Sequence, residues 1–472
     1  MKRHLLLPLL LLSGCMVGPD YERPKVEIPA AYKEGMRESD WKQAEPRDAA
    51  ARGKWWAIFG DPQLDGMISQ VDVSNQTIAA AEAQLRQAAA VTAQDRAGLF
   101  PTLNGTVSVT RSEPSTTTGP VIGAATATRT IYSLPLSASW EADLWGKIRR
   151  SIEQGSASEQ ATAADLVNAR LSVQSTLAQD YFQLRTLDSQ KRLLDETVAA
   201  YEKSLELTNN RYKAGVAARS DVALAQSQLQ SARAQSIDTT VQRAQLEHAI
   251  AVLLGKPASS FSLERGELAA MPPAVPPAGL PADLLERRPD VAAAERRVAA
   301  ANANVGIAKS AFFPSATLAA TLGYQSRSTD NWFTLPSRFW SIGPALALTL
   351  IDFGRRGAIS DQAVAAYDQT VATYRGTVLQ AFADVEDNLA ALRILEEEAK
   401  VQDEAVKAAN LTLDITLNQY KAGIVTYLQV VVVQAAALQA QTNALGIRNR
   451  RLVASVLLVK ALGGGWEEGG KK

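Results

Sequence analysis

One stretch of this sequence occurs twice, and it constrains the fold more than any other feature. It is a proline-free run of 67 residues ending in Tyr-Lys-Ala-Gly, with copies at Lys147–Lys213 and Arg355–Lys421. Flanking residues correspond at the same offset of 208 positions: Trp145 corresponds to Phe353, and Gln226 to Gln434. This regularity indicates an internal duplication. As α-helices the two runs would each be about 100 Å long, so we expect an elongated body of two related halves.

The N-terminus has the pattern of a bacterial lipoprotein signal. A basic start and an apolar run at positions 5–12 lead to Leu12-Ser13-Gly14-Cys15, and the run is too short to span a bilayer. We therefore predict that residues 1–14 are removed and that Cys15, the single cysteine, carries a covalent lipid. A buried free thiol is the alternative. Met16, where an aspartate would favour retention in the inner membrane, favours the outer membrane.

The rest of the chain divides around the two long runs. We predict an N-terminal arm at 15–63, a first repeat at 64–255, a proline-rich linker at 256–283, a second repeat at 284–462 and a flexible tail at 463–472. Each long run is expected to turn at its Ala-Gly tip and return as a shorter helix, at about 219–254 and 427–461. Further helices are expected at about 64–99 and 290–311.

A strand pattern precedes each long run. Apolar or small residues alternate with polar ones over 102–111, 130–144, 314–325 and 339–352, which is the period of half-buried strands. Each strand is long enough to cross an outer membrane when tilted, but four strands cannot close a barrel. Because a sheet in lipid tolerates no free edge, the chain is expected to oligomerise, a dimer giving eight strands and a trimer twelve. A soluble sheet packed on helices is the alternative.

Catalytic and metal-binding patterns are not found in the sequence. Catalysis needs a positioned acid, base, nucleophile or metal, whereas the two histidines are His4 in the signal and His248 in a predicted helix. Lys plus Arg and Asp plus Glu both total 49, and this neutral balance argues against a nucleic-acid partner. We expect no enzyme, no metal and no cofactor other than the lipid on Cys15.

Several motifs together resemble one family, the TolC-like outer-membrane efflux channels, in their lipid-anchored, multidrug-efflux branch. The resemblance covers almost all of the mature chain. Its motifs are Cys15 in the lipobox, Trp56 with Phe59-Gly60-Asp61-Pro62, Arg288-Pro289-Asp290, Phe313-Pro314, both Tyr-Lys-Ala-Gly tips and Leu462-Gly463-Gly464-Gly465-Trp466.

The resemblance implies a fold and partners. The fold is mostly α, a homotrimer with a twelve-stranded transmembrane β-barrel on a long periplasmic α-helical barrel with an equatorial region. The implied partners are outer-membrane lipid, a periplasmic adaptor protein and an inner-membrane pump, for which the RND type is the first expectation. The implied function is a passive duct that exports drugs or other small toxic compounds. A type I protein-secretion duct and a periplasmic scaffold without a pore remain alternatives, and the cargo is not specified.

The resemblance also implies site residues at the periplasmic tip. Tyr420 and Asp221 match a tyrosine and an aspartate that hydrogen-bond to hold the tip closed. Where the family can place an arginine and two pore-ring aspartates, this chain has Val425, Gln429 and Val432, which weakens the case for an acidic, cation-binding constriction. Tyr427 and Leu428 are candidates for an apolar constriction instead, with ordinary helix packing as the alternative. The adaptor-docking positions are predicted at Ala214, Gly215, Val216, Ala217, Ala422, Gly423, Ile424 and Val425.

Overall fold

The computed structural model describes residues 16–29, 31–34, 53–113, 115, 128–268 and 287–464. Seven helices are described: α1 (Pro62–Ser74), α2 (Gln76–Ala97), α3 (Lys147–Lys213), α4 (Arg219–Leu253), α5 (Pro289–Ser310), α6 (Arg355–Lys421) and α7 (Tyr427–Ala461). The predicted duplication is seen in the bounds of these helices, because α3 and α6 both have 67 residues and α4 and α7 both have 35.

The helix predicted at 64–99 is in fact two helices, and Asn75 explains the break. Its backbone is extended, its Oδ1 accepts hydrogen bonds from Thr77 N and Ile78 N, and its Nδ2 donates to Leu253 O at 2.7 Å. Asn75 thus caps the N-terminus of α2, because its side chain accepts from backbone N–H groups that have no partner within the first turn of a helix. The prediction of one helix was therefore wrong at this point.

The described residues cluster into two units. The first holds those within Met1–Lys25, Gln84–Thr162 and Ala294–Tyr374, and the second those within Val26–Ala83, Ala163–Ala293 and Arg375–Lys472. Both repeats contribute to both units, since α3 and α6 each have residues in the two.

The first unit contains an antiparallel sheet. Its strands are β1 (Thr102–Gly105), β2 (Ser108–Ser112), β3 (Arg129–Ala142), β4 (Ser315–Ser326) and β5 (Arg338–Ala347). Both β1 and β2 pair with the same edge of β3 and in one continuous register, so they are two parts of the single strand predicted at 102–111. Pro135 explains the gap: its carbonyl accepts from Thr106 N at 3.1 Å, but proline has no N–H to return.

The register places the apolar side chains of this sheet on one face. Trp140 lies beside Leu318, and Leu136 beside Leu322, which in turn lies beside Trp340. All five of these side chains are exposed. The opposite face is small and polar, with Ser137 paired to Thr321 and their hydroxyls 3.3 Å apart. The predicted alternation is confirmed, and the apolar face is not covered within the described chain.

Two strands end earlier than predicted, and an aspartate beyond each strand caps the following long helix. β3 stops at Ala142, after which Asp143 accepts from Ile148 N and Arg149 N at the start of α3. β5 stops at Ala347 rather than near 352, and Asp352 accepts from Arg356 N at the start of α6. A carboxylate at a helix N-terminus is stabilised by the free N–H groups there.

The second unit has an apolar core in which α1, α3, α4 and α7 meet. Fully buried members include Leu64, Ile68, Leu177, Ile250 and Val456. The described start of the predicted linker is packed rather than loose, because Leu263 and Leu268 belong to the same core. Residues 269–283 of the predicted linker, the first three residues of the predicted second repeat and the tail from 465 lie outside the described residues.

The N-terminal arm contacts each unit through specific hydrogen bonds. In the first unit, Val17 N donates to Trp145 O at 3.0 Å, and the buried guanidinium of Arg150 binds Asp20 at 2.9 Å. In the second unit, Glu386 accepts from the backbone N–H groups of Lys33 and Glu34. These described parts of the arm are therefore held on the body of the protein by hydrogen bonds.

Helix α7 is the one described helix that is long and apolar enough to cross a membrane by length and composition. An alanine- and valine-rich helix that packs on other helices has the same composition, and one face of α7, including Tyr427, Val430 and Leu452, is buried in the second unit.

Candidate functional site

The candidate site is the end of the second unit where the two long helices turn back. After α3, Val216 N bonds Arg211 O and Gly215 N bonds Tyr212 O; after α6, Ile424 N bonds Gln419 O and Gly423 N bonds Tyr420 O. These pairs form Schellman motifs, which need a left-handed residue. Gly215 and Gly423 supply it with φ of +77° and +80°. The repeated Tyr-Lys-Ala-Gly thus encodes two identical turns.

The two turns are alike, but their tyrosines are not. Tyr212 is 42% exposed, whereas Tyr420 is 2% exposed. The Tyr420 hydroxyl donates to Thr208 Oγ1 on α3 at 3.1 Å, and Thr208 in turn donates to Ser204 O. A buried hydroxyl with a partner avoids the cost of an unpaired polar group. Tyr420 therefore connects the hairpin α6–α7 to the hairpin α3–α4.

Arg211 makes a second connection between the hairpins. Its guanidinium lies 4.6 Å from the centroid of the Tyr420 ring and donates to the carbonyl of Tyr420 and, at 3.3 Å, to that of Lys421. These carbonyls belong to the last turn of α6, where the helix dipole favours a cation. Arg211 thus combines a cation–π contact with a C-terminal cap.

Tyr427, at the start of α7, makes a third connection between the two hairpins. Its ring centroid lies 5.4 Å from that of Tyr420, and its Oη accepts from Ser204 Oγ at 3.3 Å. Burial raises the pKa of the Tyr427 hydroxyl, and the nearby carboxylate of Asp221 adds to the increase. The hydroxyl is therefore neutral at physiological pH.

The hydrogen bond predicted between Asp221 and Tyr420 is not formed within the chain that the structure describes. Tyr420 donates to Thr208 instead, because Thr208 is buried beside it, while Asp221 lies in the first turn of α4, part-exposed and close to Tyr427. Tyr420 thus connects the two hairpins through Thr208, and its part in holding the tip closed stays a prediction.

The other predicted tip residues separate into buried and exposed. Tyr427 is 1% exposed and packs with Tyr420, Ala225 and Val430, whereas Leu428 is 60% exposed. The side chain of Gln429 is exposed, and those of Ala217 and Val425 are part-buried. The remaining docking candidates are exposed: Ala214, Gly215, Val216, Ala422, Gly423 and Ile424.

The motif Arg288-Pro289-Asp290 forms an ion-pair network in the second unit. Arg288 binds Asp290 at 2.9 Å and Asp384 of α6 at 2.6 Å, and it also donates to the carbonyl of Ala461 at the end of α7. One guanidinium thereby joins α5, α6 and α7. Its role is structural, and Pro289 begins α5 at a position where no N–H is needed.

The predicted lipidation residue Cys15 lies outside the described residues. Its neighbour Met16 packs against Gly146, between the end of β3 and the start of α3. Among the described residues, no group of three or more His, Cys, Asp or Glu side chains is placed to hold a metal ion.

Comparison with known proteins identifies the family. The sequence profile described as "Outer membrane efflux protein" matches residues 67–256 and 280–464. The chain belongs to this outer membrane efflux protein family.

Relatives in the family align along nearly the whole chain. The toluene efflux pump outer membrane protein TtgF of Pseudomonas putida is 33% identical over 473 residues, 99% of this chain and 98% of its own. The pyoverdine export outer membrane protein OpmQ of Pseudomonas aeruginosa is 32% identical over 93% of this chain and 94% of its own.

Solved structures of family members share the fold. The outer-membrane channel OprN matches with a TM-score of 0.86 and 28% identity over 96% of this chain and 100% of its own. The outer membrane protein VceC of Vibrio cholerae matches with a TM-score of 0.81 and 28% identity over 88% of this chain and 99% of its own. The chain is thus an outer-membrane channel component of an efflux pump with the family's barrel fold, as the sequence predicts, and the family is one of transport proteins rather than enzymes.

Sequence reasoning missed Arg211, Thr208 and Ser204. All three lie in the last turns of α3, where a basic residue and small polar residues are ordinary. Their partners lie more than 200 positions away in sequence, so no local signal distinguishes them.

Proposed function

We propose that three copies of the chain form an export duct whose tip is held closed by the connection between its two helical hairpins. The observation that carries this proposal is the sheet of the first unit. It has one exposed apolar face, and within the described chain β1–β2 and β5 are edges without a further strand.

Such a sheet needs both lipid and partner strands. The exposed tryptophan and leucine rows favour hydrocarbon, where an unpaired strand edge costs several kcal/mol for each polar group. Pairing β5 of one copy with β1–β2 of the next removes every edge when the ring closes. With β1–β2 counted as one strand, three copies give twelve strands and leave a lumen lined by the polar face of Ser137 and Thr321.

Lipid attachment at Cys15 agrees with the position of the arm. Val17 is hydrogen-bonded to Trp145, three residues after the end of β3, and Cys15 is two residues, at most about 7 Å of chain, before Val17. A lipid on Cys15 would therefore enter the bilayer beside the end of the sheet.

The exposed tips are the proposed docking surface for a periplasmic adaptor that an inner-membrane pump of the RND type drives. Val216 and Ile424 are large apolar side chains that remain exposed next to glycines, and small residues allow a second helical hairpin to approach closely. Docking there can act on the Tyr420 and Arg211 contacts a turn or less away. Leu428 and Gln429, exposed at the start of α7, are the proposed lining of the constriction.

The proposed cargo is small organic molecules. The names of the relatives mention toluene and pyoverdine, two compounds of very different polarity, which fits a passive duct whose pump selects the substrate. The exposed apolar sheet disfavours a periplasmic scaffold without a pore.

A matched pair of neighbours in β4 tests the duct. Leu322→Arg places a charge on the proposed lipid face and should cost about 2–4 kcal/mol at the bilayer midplane, so that protein is lost from the outer membrane. Thr321→Arg places the same charge in the proposed lumen and should leave insertion intact while changing ion selectivity in planar bilayers. Equal membrane yields for the two variants would contradict the assignment of the faces.

A further inference from the structure

The second unit contains a cavity near the tip that the duct itself does not require. It has a volume of about 290 Å³ and lies between α3, α6 and α7. Its walls are mainly apolar, with Leu207, Leu413, Leu417 and Leu438 among the lining side chains, and Lys203 and Lys421 stand at its exposed rim.

A buried amide lines this cavity. Gln434 is 4% exposed, and among the described residues its Oε1 has no hydrogen-bond partner. Leaving a buried acceptor unpaired destabilises the folded state, and Gln434 stands on the apolar face of α7 with Tyr427, Val430 and Ala437. A leucine there would avoid this cost, so the free acceptor needs an explanation.

Among the described residues, no neighbouring polar group donates to Gln434 Oε1. Ser204, which also lines the cavity, donates its hydroxyl to Tyr427, and the Tyr201 hydroxyl oxygen interacts with the side chain of Gln228 of α4. A molecule in the cavity would supply the donor that Gln434 lacks.

We propose that this cavity binds a small apolar molecule that carries a hydroxyl or N–H group, which it donates to Gln434 Oε1. The volume is at the lower end of the range for ligand pockets, so the ligand is smaller than most drugs. The leucines match an apolar body, and the two lysines at the rim disfavour a cation. The chemical class is thus uncharged phenols, alcohols and amides that carry an N–H group.

The ligand would stabilise the closed tip. It contacts α3 through Ser204 and Leu207 and the other hairpin through Leu417 and Gln434, so it bridges the same two hairpins that Tyr420 and Arg211 connect. A ligand that binds one arrangement of two elements shifts the equilibrium towards it. This regulatory consequence rests on the proposed gate, whereas binding itself does not.

Calorimetric titration of the detergent-purified full-length protein with 4-ethylphenol tests the binding. We expect saturable binding of one molecule per chain, and binding of 4-ethylanisole, which cannot donate, at least about tenfold weaker. Gln434→Leu should weaken binding of the phenol about tenfold and abolish its preference over the ether. The matched control is Gln226→Leu, the equivalent glutamine of the first repeat, which is exposed on α4 and should change nothing.

A second variant tests the cavity independently if Gln434→Leu fails to fold. Ala200→Phe enters the cavity from its exposed rim and should remove binding of both probes. Absence of saturable phenol binding would show that water alone occupies the cavity. Equal binding of phenol and ether by the unmodified protein would show that Gln434 accepts no hydrogen bond from the ligand, and either result would overturn the proposal. Binding without any effect of the phenol on channel conductance would keep the site and refute only its link to the gate.

Discussion

Replacing Arg211 by alanine is the sharpest test of how the tip is held closed. Arg211 extends from the last turn of α3 to the last turn of α6, where it lies over the ring of Tyr420 and donates to two terminal carbonyls. The substitution removes the charge, the ring contact and the cap together, while the backbone of α3 is kept by a residue with high helix propensity.

The size of the effect follows from these three contacts. A part-exposed cation–π contact contributes about 0.5–1 kcal/mol, a charged hydrogen bond about 1.5–3 kcal/mol and the helix-dipole term about 0.3–1 kcal/mol. These contributions are not additive, and the buried Nε of Arg211, which has no partner among the described residues, offsets part of them. We expect a net loss of about 2 kcal/mol, which increases the ratio of open to closed tips about 30-fold.

Single-channel recording in planar bilayers measures this ratio, and sensitivity of cells to vancomycin reports it in vivo. The control is Arg219→Ala, which removes an exposed arginine at the start of α4 and should leave the closed time unchanged. Arg211→Lys should be intermediate, since it keeps the charge but not the planar contact. Closed times for Arg211→Ala equal to those of the unmodified channel would refute the locking role of the hairpin connection.

Three further predictions concern stability. Arg288→Ala should lower the free energy of unfolding by about 3 kcal/mol, because it leaves Asp290 and Asp384 without their cation; an unchanged melting temperature would contradict this. Gly423→Ala should destabilise by about 1–2 kcal/mol at φ of +80°, whereas Gly446→Ala, inside α7 with open space around it, should stabilise by about 0.5–1 kcal/mol. Burial, with a hydrogen bond to Asp61, raises the pKa of Tyr181 from 10.0 to about 12. The stability contributed by its neutral hydroxyl should therefore be complete below pH 10 and lost as the pH rises towards 12; the melting temperature of Tyr181→Phe should fall less over this range.

The sequence predicts the duplicated elements well because their signals are local. The absence of proline and the Gly215 and Gly423 turns determine α3 and α6 to the residue, and the alternation determines the strands to within about five residues at their ends. The incorrect predictions of helix and strand continuity each arise from a single residue. Asn75 breaks a helix that its alanine-rich surroundings favour, and Pro135 interrupts a strand pairing that alternation alone does not reveal.

The candidate site was less predictable because tertiary packing decides it. Tyr212 and Tyr420 stand in identical tetrapeptides, yet one is exposed and the other buried against α3. A repeat in sequence cannot tell which copy packs on its neighbour. The pairing of Tyr420 with Thr208, and not with Asp221, depends likewise on how two distant hairpins meet.

Native mass spectrometry of the detergent-extracted protein measures how many chains form the complex. We expect three identical chains, since the open edges of one four-stranded sheet are satisfied only when neighbouring copies close a ring. A stable single chain that remains soluble without detergent would contradict it, because the apolar sheet face and its two edges would then need neither lipid nor partners.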